Sequence, residues 1–167
     1  AQALTLSIQR YGQNERTLFS FLEATGQGSL QSFVEGKHTT YSLADVYDYD
    51  IYNFYSYLSE INADSAAWTS IRVSLERVES LFEDDIATAA IALVKTIGMI
   101  NLFGKAGVQL DKKALSIYAR AALDINTPED IIDLLTQHKI IRYATYKSQY
   151  ILFEGTDVNI EGELLKA

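Results

Sequence analysis

A chain of 167 residues that is 48% apolar, with one proline, is long enough to bury one core or two small ones and too apolar to be disordered. Its net charge of −8 lies wholly in residues 1–86, which hold 5 Lys and Arg against 13 Asp and Glu, whereas residues 87–167 hold 9 of each; the acidic half is unsuited to phosphate backbones and anionic membranes. The absence of cysteine excludes disulfides and thiolate metal sites and fits a reducing, cytoplasmic setting.

No run reaches the ~20 apolar residues of a membrane span. The longest, from Ile86 to Phe103, is interrupted by Lys95 and several polar residues. Ala1 to Arg10 lacks the basic start and apolar centre of a signal peptide. With Ala1 in place of an initiator methionine, the chain is expected to be a piece of a longer protein.

In chain order, the alternation of Leu4, Leu6 and Ile8 predicts a short strand, ended by Gly12. Asn14 is placed to cap a helix carrying Leu18, Phe19, Phe21 and Leu22, which Gly26 stops. Ser29 caps a further turn with Leu30, Phe33 and Val34. Ser42, followed three residues later by Asp45, opens an amphipathic helix through Val46, Tyr47, Ile51, Phe54 and Leu58. Asp64-Ser65 starts the next, with Trp68, Ile71, Leu75, Val78 and Phe82, and the short link predicts an antiparallel pair. Asp84 and Asp85 open a third long helix, apolar around most of its circumference and therefore expected at the centre of the fold, which stops at Gly104 and Gly107.

The last part changes rhythm. Asp111 caps a helix with Leu115, Ile117 and Tyr118, and Thr127-Pro128-Glu129-Asp130 is a helix start leading to Ile131, Ile132, Leu134 and Leu135. Ile140 to Tyr146 and Tyr150 to Phe153 read as strands about a Lys147-Ser148-Gln149 turn. Three helices and a hairpin in that order are the pattern of a winged helix. The expected fold is mainly α, a helical bundle over 1–84 followed by a winged helix-turn-helix over 85–167 that shares the long helix. Ile160, Leu164 and Leu165 suggest a closing helix.

Candidate sites are few. Gly98 with Gly104-Lys105-Ala106 approaches a phosphate loop, but the spacing is one residue too long, Ala106 replaces the hydroxyl, and a helix end replaces the strand. Gly104 reads better as a helix cap. Asp45, Asp48 and Asp50 lack the glycine that a calcium loop needs. They read as a solvated acidic face among tyrosines, of which Tyr47, Tyr49, Tyr52 and Tyr55 are candidates for protein contact. His38 and His138 have no second ligand at metal spacing, and His138 suits a helix C-terminus. No nucleophile set stands out, so the chain is not read as an enzyme and needs no cofactor or metal of its own.

A winged helix invites a DNA-binding reading, for which Lys112, Lys113, Arg120, Arg142 and Lys147 are the candidate residues. Against it, the first turns of the third helix carry Glu129, Asp130 and Asp133, which phosphates repel. Protein contact is the favoured reading.

Five blocks, Gly12 to Leu22 (with Gln13-Asn14-Glu15-Arg16), Tyr41 to Tyr49, Trp68 to Arg77, Leu93 to Leu102 and Phe153 to Ile160, span most of the chain. Together they resemble the helical and winged-helix region that follows the nucleotide-binding core in large bacterial P-loop ATP-binding proteins, some of them linked to defence. The resemblance implies an accessory domain that couples nucleotide state to a neighbouring domain, subunit or nucleic acid, with its own upstream ATPase core or a neighbouring subunit as the expected partner and ATP and Mg bound by the parent protein. It also makes Arg16, at the expected junction with that core, a candidate nucleotide-phosphate contact. The alternative for Arg16 is an ion pair with Glu15 or Glu23.

Overall fold

The computed structural model describes residues 3, 6, 34, 36, 40–59, 64–105 and 107–153, with the side chains of 54–59 outside that description. From residue 43 onward it is mainly α: α1 (Leu43–Ser59), α2 (Ser65–Leu81), α3 (Asp84–Phe103), α4 (Lys112–Ala122), α5 (Pro128–Gln137), β1 (Ile141–Ala144), a 3-10 turn (Thr145–Lys147) and β2 (Gln149–Leu152). The predicted helices after Asn14 and Gly26 and the closing helix at Ile160 lie almost wholly outside the described residues. Ala3 and Leu6 are helical, where alternation predicted a strand. Both pack against the core, and a three-residue spacing places them on one helical face.

The start of α1 is a reciprocal cap. The Ser42 hydroxyl accepts from the Asp45 amide at 3.3 Å, and the Asp45 carboxylate accepts from the Ser42 amide at 2.7 Å. The Leu43 amide donates to the Tyr118 hydroxyl of α4 at 2.8 Å. Asp64 holds the cap position of α2, but its side chain makes no capping bond.

α3 is the central element and packs on α1, α2, α5 and β2. Leu93, Val94, Ile97 and Met99 on it are fully buried. By length and composition alone, Asp84–Phe103 is apolar enough to cross a membrane, since Lys95 is the one charge past its first turn. Here it serves as the core helix. Gly98 lets α2 and α3 approach closely, because a Cβ there would stand 2.5 Å from Ile71 Cγ1. The helix ends at Gly104, where a Cβ would lie 2.3 Å from the Ile100 carbonyl oxygen.

Beyond α3, Leu110 bridges to β2 in parallel: its amide donates to the Ser148 carbonyl at 2.9 Å, and the Tyr150 amide donates to the Leu110 carbonyl at 3.1 Å. β1 and β2 pair antiparallel, with Ile141 opposite Leu152 and Ala144 opposite Gln149. β1 is shorter than predicted because Thr145–Lys147 coil into the 3-10 turn, which Ser148 closes at φ 51°, ψ 38°, and β2 keeps its expected length one residue earlier. Trp68, Ile71 and Val78 of α2 belong to one apolar cluster with Leu115, Ile132, Leu135 and Ile141, so the core runs across the 84/85 boundary. Arg77 adds a polar link, donating to the carbonyls of His138 and Lys139 at 2.8 Å each.

Candidate functional site

The face built by α4, α5 and the hairpin is where the sequence placed its DNA-binding candidates. Asp111 caps α4 by accepting from the Ala114 amide at 2.7 Å. Leu115, Ser116 and Ala119 then face inward, and Lys112 and Arg120 outward. α5 starts with Pro128 at its first position, buries Ile131, Ile132 and Leu135, and turns Asp133 outward.

The two helices meet through these charges. Lys112 Nζ donates to Asp133 Oδ1 at 2.6 Å. The Arg120 guanidinium donates to both oxygens of Glu129, at 2.7 and 2.6 Å. Hydrogen bonds from Arg120 hold the Glu129 carboxyl below its ordinary value. The hydrogen bond to Asp133 raises the Lys112 ammonium. Two cations of the predicted basic patch are therefore engaged by acids of the helix that would enter a DNA groove.

The other three candidates differ. Lys113 is exposed and has no ion pair among the described residues. Arg142 stands in β1 opposite Ile151, its guanidinium 5.9 Å from the Phe153 ring centroid. Lys147 lies 5.6 Å from the Tyr146 ring centroid. Exposed apolar side chains stand on the same elements: Tyr146 is 74% exposed and Ile117 58%, and Tyr143 and Val108 are also exposed.

The tyrosine helix differs from expectation. Tyr47 and Tyr49 are core residues at 7% and 2% exposure, so neither presents a contact surface. Tyr47 packs on Trp68 at 5.8 Å, and burial pushes its hydroxyl up to about 12. Tyr52 is 61% exposed, and the Tyr55 side chain is outside the described set. Nor is the acidic face solvated. Asp45 is in the cap, Asp50 is fully buried, and Asp48 accepts from Lys95 Nζ at 2.6 Å. Burial raises the Asp48 carboxyl against the pull of Lys95. α1 is inserted against both α2 and α3, so its buried arc is wider than an amphipathic stripe.

Gly98 sits mid-helix and buried, which removes the phosphate-loop reading. His138 follows α5 as its cap residue, edge-on to Phe82 at 5.2 Å, while Arg77 brings the positive charge to that helix end. Arg77, Lys95 and Tyr118 are the connecting side chains that sequence patterns did not single out. Among the described residues no group of three His, Asp or Glu could hold a metal ion. Arg16 and His38 lie outside the described residues. No family model, no curated protein and no solved structure matches the chain.

Proposed function

We propose that the chain is a non-catalytic accessory domain, helical and then winged-helix, of a larger P-loop ATP-binding protein, and that it relays nucleotide state through protein contacts. The observation that carries the protein-contact reading is the pairing of Lys112 with Asp133 and Arg120 with Glu129. Releasing either cation to a phosphate would strand a carboxylate beside the polyanion. The order of α3, the Leu110 bridge, α4, α5 and the β1–β2 hairpin supports the winged-helix reading. Exposed Tyr146, Tyr143 and Ile117 favour a protein surface over a phosphate surface. The link to a P-loop parent, with its ATP and Mg, rests on the sequence resemblance, as does a nucleotide contact for Arg16.

Fluorescence anisotropy with labelled duplex and single-stranded DNA across a salt series tests the reading. No binding at low salt is the expected result. Tight binding with a steep salt slope, lost in Lys112→Glu and Lys113→Glu, would instead make this a DNA-binding winged helix. In the parent protein, unchanged ATP turnover on Arg16→Ala would reject the nucleotide contact.

A further inference from the structure

We draw no further inference here: the strongest candidate, the cleft between the first half of α2, the second half of α3 and the hairpin, gathers Asp64, Arg142 and Lys147 but carries nothing, because Asp64 and Arg142 already have partners, the Ser70 hydroxyl on its wall is shut away from solvent, and nothing in the structure shows what covers the exposed Lys147 that is left.

Discussion

Lys95 and Asp48 form an ion pair whose side chains are 15% and 20% exposed. At that depth the loss of water opposes the attraction between the charges, which is why the Asp48 carboxyl is raised although a cation touches it. Lys95→Met alone should cost about 1–3 kcal/mol, because it strands a carboxylate. Lys95→Met with Asp48→Leu should recover most of that, as urea denaturation would measure. A carboxyl raised on folding contributes stability that is full below its unfolded value and fades as pH rises through the folded one. The deficit of Lys95→Met should therefore shrink as pH is lowered from neutrality towards the ordinary carboxylate value. Gly98 makes a second residue-scale case. An added methyl gains helix propensity but meets Ile71 at 2.5 and 2.7 Å. Gly98→Ala should be destabilising by about 1–2 kcal/mol, and by less in an Ile71→Val background.

At the scale of elements, the pairing of α4 with α5 gives a pH dependence of opposite sign. The Glu129 carboxyl is lowered on folding by Arg120, so its contribution is present above the ordinary carboxylate value and is lost as pH falls through the lowered one. Arg120→Gln should be less stable than the parent near neutrality, and the two should converge in acid. Thermal unfolding followed by circular dichroism across that range would show it. Helix starts were legible in the sequence because caps are local: Ser42 with Asp45, Asp111 with Ala114, and Pro128 at the head of α5 all act within a few residues. The partners of the charged side chains were not. Lys95 meets Asp48 from 47 positions away, and Arg77 reaches carbonyls 61 and 62 positions on. A basic α4 followed by an acidic first turn of α5 did carry a signal for mutual pairing, since two helices joined by a short turn bring such faces together. The tyrosines of α1 gave no such signal, because a ring that packs and a ring that docks have the same spacing.

For the whole molecule, the shared cluster predicts one cooperative transition. Trp68, the chain's one tryptophan, lies between Tyr47 at 5.8 Å and Phe103 at 6.5 Å, within the same core that includes Leu115 and Ile132. Its fluorescence should change at the same denaturant concentration as the helical signal from far-ultraviolet circular dichroism. Two separated transitions would mean that the part from α4 to β2 folds apart from α1 and α2.

The first amides of a helix have no acceptor within it. Leu43 is in that position, yet its amide is held by the Tyr118 hydroxyl, 75 residues away on α4. Deuterium can replace that proton once α1 and α4 part, whether or not either helix unravels. The Leu43 amide is thus a built-in clock for the separation of α1 from α4, and Tyr118→Phe should speed its exchange while leaving the middle of α1 unchanged. A partner that loosens this joint would be visible at one resonance.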